Sequence, residues 1–172
     1  DLLGEVLAEV GERWAAGELS IAQEHVISDT LTRGLRRVGS AMPTSRAAPA
    51  CVLACAGDDV HTLGLSLVEL SVREAGWQPL WLGPATPSAV LVEVIARPEV
   101  RALALSASEA SSARAELDVL VEQVGASCRE AGVELLLGGS GAWPHRPGHG
   151  TRLRSCAELS AWLRRSFPLP HP

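Results

Sequence analysis

Ala50-Cys51-Val52-Leu53-Ala54-Cys55-Ala56, followed at once by Gly57-Asp58-Asp59-Val60-His61-Thr62-Leu63-Gly64, is the stretch that decides the fold. A short run of small and apolar residues without polar alternation describes a strand covered on both faces, the mark of a central parallel strand. Gly57-Asp58-Asp59 ends the run, and apolar residues at helical spacing resume over 62–76. The carboxyl end of such a strand opens where open α/β sheets bind ligands. His61, with a carboxylate two residues before it, lies in that loop.

Outward from this unit the pattern alternates. Strands are expected at 79–82, 101–106, 134–138 and near 151–154, with helices at 87–97, 111–131 and 157–166. The crossover after 134–138 runs through Trp143-Pro144-His145-Arg146-Pro147-Gly148-His149-Gly150 and reads as a loop. These units predict an α/β fold of the flavodoxin-like (Rossmann-like) kind, a five-stranded parallel sheet in the order 2-1-3-4-5. Upstream, Leu2, Leu3, Val6, Leu7, Val10 and Trp14 recur at helical spacing before Gly17. A second helix is expected over 21–38, with Ser20 as its cap and Gln23-Glu24 placed for a capping box. The first 40 residues therefore read as an N-terminal helical cap, and residues 48–168 as the sheet domain. The Pro-, Ser- and Ala-rich segment 39–49 joins them. Two helices alone cannot bury both faces, so the cap must pack on the sheet domain or on another segment. The end of the chain from Phe167 is expected to fray.

The chain has no Lys and no Tyr, so its fifteen cations are all Arg. This excludes a phosphate-loop lysine, a Schiff-base lysine and a tyrosine acid. A net charge of −5 and a pI near 5.5 argue against direct nucleic-acid binding by this segment. Cys51, Cys55, Cys128 and Cys156 show no Cys-x-x-Cys pair and read as reduced core thiols. With no leader-like or membrane-length apolar run, a cytoplasmic protein without membrane contact is expected. Asp1 in place of Met predicts a piece of a longer chain.

His61 is the candidate metal ligand. Asp59 can accept the proton of one ring nitrogen, which fixes the tautomer and leaves the other nitrogen for a metal. Ser106, at the end of the third strand, is placed to extend that relay. Gly64, Gly138 and Gly139 would let a large planar ligand come close. No G-x-G-x-x-G follows the first strand, which disfavours a dinucleotide site. Singly, these residues also fit ordinary loop punctuation, and Trp14 and Glu24-His25 also fit core packing and a solvated helix face.

Taken together, Asp59-x-His61-x-x-Gly64, Ser106 separated from Gly64 by forty-one residues, and Gly138-Gly139 resemble the cobalamin-binding module of methionine synthase, the acyl-CoA mutases and their relatives. The resemblance covers roughly residues 48–166. Ser108 stands where that family usually carries Leu. The resemblance implies a cobalamin (vitamin B12) cofactor whose cobalt takes His61 as its lower ligand. The corrinoid's own base would enter a slot among the small residues Gly57, Ser106, Gly138, Gly139, Ser140 and Gly141 at the strand ends, and Asp59, Gly64 and Ser108 join the residues expected to bind the cofactor.

Trp14 and Glu24-His25, with nine residues between them, resemble the helical cap of light-responsive cobalamin regulators of the CarH type. That resemblance implies adenosylcobalamin, with Trp14, Glu24 and His25 over its upper face. It also implies a homo-oligomer that changes in the light, and output through an attached DNA-binding domain rather than through enzyme catalysis. Ala15 stands where those regulators carry a His. Two other readings remain open at this point. One is a corrinoid carrier module of a methyltransferase or mutase. The other is a cofactor-free receiver-like domain built on Asp58 and Asp59, which the missing lysine disfavours. Trp143, His145 and His149 are candidates for the rim of the ligand site.

Overall fold

The computed structural model describes residues 20–111 and 113–167. At its centre is β1 (Ala50–Cys55), buried along its entire length. It lies between β2 (Gln78–Gly83) and β3 (Val100–Ser106), and β4 (Glu134–Gly138) and β5 (Thr151–Arg152) extend the sheet beyond β3. The order is β2-β1-β3-β4-β5 and every pairing is parallel, as the sequence predicts.

The helices are α1 (Ile21–Ala41), α2 (Leu63–Glu74), α3 (Ser88–Ile95), α4 (Arg114–Ala131) and α5 (Cys156–Ser166). The residues of β1 divide between two cores. Val52 and Ala54 meet Leu91 and Ile95 of α3 and Leu117, Val121 and Val124 of α4. Cys51, Leu53 and Cys55 face the opposite way, toward Leu65 and Val72 of α2 and Leu159 and Leu163 of α5. Both faces of the strand are therefore dry, and each such leucine contributes about 1.5–3 kcal/mol by leaving water.

Element ends shift by a few residues for local reasons. The strand expected near 151–154 holds only two paired residues, because the Arg154 N–H turns to the Glu158 carboxylate at 2.7 Å. Ser155 then caps α5, accepting the Glu158 N–H at 3.2 Å. At the start of α1 the capping box is present: Ser20 Oγ accepts from Gln23 N at 3.3 Å, and Gln23 Oε1 accepts from Ser20 N at 2.9 Å.

Helix α1 packs along α2. Arg73 of α2 donates to Met42 O at 3.5 Å, and Gly39 rests against Leu70, Glu69 and Arg73. The C-terminal ends of the two helices thus lie together, at the sheet edge where β1 begins. Because α1 has 21 residues and α2 has 12, the first turns of α1 run past the start of α2, by roughly 13 Å at helical rise. They project toward the carboxyl edge of the sheet. The helix expected over Asp1 to Ala15, with Trp14, and His171 in the tail lie outside the described residues. Among the described residues no helix is long and apolar enough to cross a membrane.

Two expectations are corrected. Trp143 is not at a ligand rim: it is 5% exposed, sits in the core beside α4, and donates from Nε1 to Gly138 O at 2.7 Å. Cys156 is not a core thiol but is half-buried in the wall of a cavity at the start of α5.

Candidate functional site

The loop after β1 is held from within. Asp59 N donates to Ala56 O at 3.0 Å, Asp59 O accepts from Ala85 N at 2.8 Å, and the Asp59 side chain is fully buried. A buried carboxylate is costly unless hydrogen bonds satisfy it, and here four donors converge on it. His61 N and His61 Nδ1 each lie 2.9 Å from Oδ1, Ser108 N donates to Oδ2 at 2.5 Å, and Ser108 Oγ donates to Oδ1 at 3.2 Å. A carboxylate can only accept, so the proton of the His61 ring resides on Nδ1 and Nε2 carries the lone pair. The ring itself is 56% exposed. It stands beside Val60, an exposed apolar side chain.

The expected relay is present with one change of partner. Ser106 does not reach Asp59. It is still in β3, paired with Cys55 and Gly138, and its hydroxyl faces Gly64. Ser108 reaches Asp59 instead, and its Oγ also lies 3.2 Å from His61 Nδ1. The chain leaves the sheet at Ala107, whose N–H goes to Gly138 O, and folds Ser108 back over the β1 loop. The site departs from the family pattern at 108 by gaining a hydroxyl that holds the histidine's partner.

A cavity of about 200 Å³, whose wall begins at Gly64 three residues after His61, runs between the carboxyl ends of β3 and β4 and the starts of α2 and α5. Gly64, Ser106, Gly138 and Gly139 line it together with leucines. Space opens at two of the glycines: a Cβ on Gly64 would come no nearer than 3.8 Å to Ser106 Oγ, and one on Gly138 would lie 4.0 Å from Leu105 O. Gly139 has a different reason to be glycine. Its φ is +86°, and a Cβ there would collide with the carbonyl of Ala107. The Gly-Gly pair therefore divides its work between lining the cavity and letting two loops pack.

Glu24 and His25 lie in the first turns of α1, on the part that projects toward the carboxyl edge. His25 is exposed. His149 is drawn away from the site: its side chain lies against Gly125 of α4 and its Nε2 accepts from Arg129 at 2.8 Å. Cys55, whose Sγ donates to His61 O at 3.6 Å, has its thiol pushed up to about 12 by burial and by the charge of Asp59, so it stays protonated beneath the loop.

Chemically, the arrangement offers one outward imidazole nitrogen with a fixed tautomer. Among the described residues no group of three or more His, Cys, Asp or Glu is arranged to hold a metal ion. A metal that arrives with most of its coordination positions already filled needs only this one nitrogen. A metallo-macrocycle meets that condition, and the adjoining apolar cavity is suited to a flat appended group. The residues present fit such a group.

Residues 1–38 match a family model described as "B12 binding domain". The chain is 32% identical over 142 residues to the HTH-type transcriptional repressor CarA of Myxococcus xanthus, covering 81% of this chain and 46% of that protein. It is 31% identical over 146 residues to the HTH-type transcriptional repressor CarH of the same organism, covering 85% and 48%. The chain thus spans about half the length of these relatives. Among solved structures, it superposes on the monomethylamine corrinoid protein of Methanosarcina barkeri with a TM-score of 0.66 at 19% identity, over 93% of this chain and 78% of that one. A cobalamin-binding protein from Desulfitobacterium hafniense DCB-2 gives 0.54 at 20% identity, over 91% and 75%. At these identities the structural likeness speaks to the fold.

Proposed function

We propose that this chain is the cobalamin-binding, light-sensing segment of a transcription regulator, and that it holds adenosylcobalamin with His61 as the lower ligand. The observation that carries the reading is the imidazole whose Nδ1 is locked by the buried Asp59 and whose Nε2 faces out beside a slot lined by Gly64, Ser106 and Gly138. The B12-binding family match supports the cofactor, and the repressors CarA and CarH support regulation rather than catalysis.

When bound, the cofactor would supply a cobalt–carbon bond that visible light breaks. The rest belongs to the protein. Asp59 and Ser108 keep the His61 ring in one orientation, so the ligand's position is fixed relative to the sheet. Trp14, Glu24 and His25 are assigned to the upper face, with the projecting turns of α1 carrying the last two. Because α1 is seated on α2 through Gly39 and Arg73, a shift at its free end can be passed to neighbouring segments while the sheet stays still. A second copy of the chain and an attached DNA-binding domain are the proposed recipients of that shift.

The test is an absorbance spectrum and an elution volume for the chain reconstituted with adenosylcobalamin, in the dark and after green light. The reading predicts a spectral change on illumination and a change of oligomeric size. An unchanged spectrum and size would overturn the sensor. A second reading, a corrinoid carrier module, is favoured by the likeness to the monomethylamine corrinoid protein and to the methanol:cobalamin methyltransferase complex of M. barkeri. It predicts methyl exchange with a partner enzyme and indifference to light.

A further inference from the structure

The mouth of the cavity carries charge that the function proposed above does not use. Arg154 lines it beside Leu153 and Ser155. The Arg154 backbone N–H is taken by Glu158, but its guanidinium makes no hydrogen bond or ion pair among the described residues. Two residues earlier, Arg152 turns its guanidinium onto the end of β4, donating to Leu137 O at 3.2 Å and to Gly139 O at 2.5 Å. Burial draws Arg152 below the ordinary arginine value, and the neighbouring charge of Arg154 pushes it the same way against Glu158. Glu158 offsets one of these two cations, and the charge that remains favours a further anion at the rim. No acidic residue lines the cavity. The first turn of α5 opens on the same rim, where Glu158 and the Ser155 cap already answer the positive end of its dipole, so the guanidinium of Arg154 is the group left for an anion. An occupant suited to these walls has a flat apolar group inside and an anionic group at the rim.

We propose that Arg154 is a specificity residue that binds the phosphodiester of a corrinoid's nucleotide tail, so that this chain selects corrinoids with a phosphorylated tail over truncated ones. The inference rests on the corrinoid reading given above. A guanidinium presents a planar fork of donors that matches two phosphate oxygens, and such charge-assisted pairs are stronger than neutral hydrogen bonds. Arg152, already engaged with the carbonyls of Leu137, Leu153 and Gly139, frames the rim and leaves Arg154 to meet the ligand.

Three probes separate the contributions of the tail: adenosylcobalamin with phosphate and base, adenosylcobinamide phosphate with phosphate alone, and adenosylcobinamide with neither. Each is titrated into the full chain and into its Arg154→Gln and Arg154→Lys variants. Arg154→Gln should weaken the first two by about tenfold and leave the third unchanged, with Arg154→Lys between. Unchanged binding of adenosylcobinamide also shows that the variant is folded. Equal weakening of all three probes, or no weakening of any, would overturn the assignment. If the unsubstituted chain bound none of the three, the corrinoid reading would fail and this inference with it. If it bound all three with one affinity that Arg154→Gln did not alter, only this inference would fail.

Discussion

At the scale of single residues, the account makes Asp59 the support and His61 the contact. Asp59→Asn keeps the shape but removes the charge that holds the Nδ1 proton. It should cost about 10–100-fold in cobalamin affinity, the usual effect of losing a metal ligand's carboxylate partner. Isothermal titration measures it, and an affinity within twofold of the parent would refute that role. Ser108→Ala removes one of four donors to the same carboxylate and spares the backbone N–H, so it should cost clearly less. Asp59 and His61 were legible in the sequence because both belong to one six-residue motif whose spacing fixes their contact. Ser108 was not. Which of two serines turns back to Asp59 depends on where β3 ends, and that is set by the pairing of Ser106 with Cys55 and Gly138, a property of three strands together. The capping role of Gln23 was legible for the opposite reason, since a capping box is closed within four residues.

At the scale of elements, two glycines that look alike in the sequence should behave oppositely. Gly139→Ala forces a left-handed φ on a residue with a Cβ and drives that Cβ into Ala107 O. It should destabilise the chain by about 1–3 kcal/mol, read as a lower Tm in the absence of any ligand. Gly64→Ala lies in the first turn of α2, meets nothing closer than Ser106 Oγ at 3.8 Å, and exchanges glycine for a better helix former. Its Tm should hold or rise by the equivalent of about 0.5–1 kcal/mol, while corrinoid binding falls because a methyl group enters the cavity. A lowered Tm for Gly64→Ala, or an undisturbed one for Gly139→Ala, would reverse the roles assigned to the pair. The strand and helix order was readable because β1 is apolar on both faces and each later strand is separated from it by a helical period. The path of the loop after β4 was not readable. Trp143 is buried there by a hydrogen bond to Gly138 O and by packing on α4, contacts that no local pattern announces.

For the whole molecule, the absence of Lys and Tyr makes the alkaline limb of stability unusually easy to interpret. Burial pushes the thiols of Cys51, Cys55 and Cys128 up to about 12 from an ordinary value of 9.0. Between those values the folded chain keeps protons that the unfolded chain releases, so the contribution is complete below about pH 9 and is lost as pH rises toward 12. Under reducing conditions the urea midpoint should fall between about pH 8 and pH 10.5, and a flat profile would contradict the burial of these thiols. The same compact sheet presents His61 at its carboxyl edge, and the functional account depends on that histidine meeting cobalt. The most direct test is the electron paramagnetic resonance spectrum of the cobalt(II) form bound to chain grown with histidine labelled with the heavy nitrogen isotope. The account predicts that each axial line, a triplet with unlabelled protein, becomes a doublet with labelled protein, and that this response disappears in His61→Ala. Triplets that persist with labelled histidine would show that the axial nitrogen comes from the corrinoid's own base, and would contradict the assignment of His61.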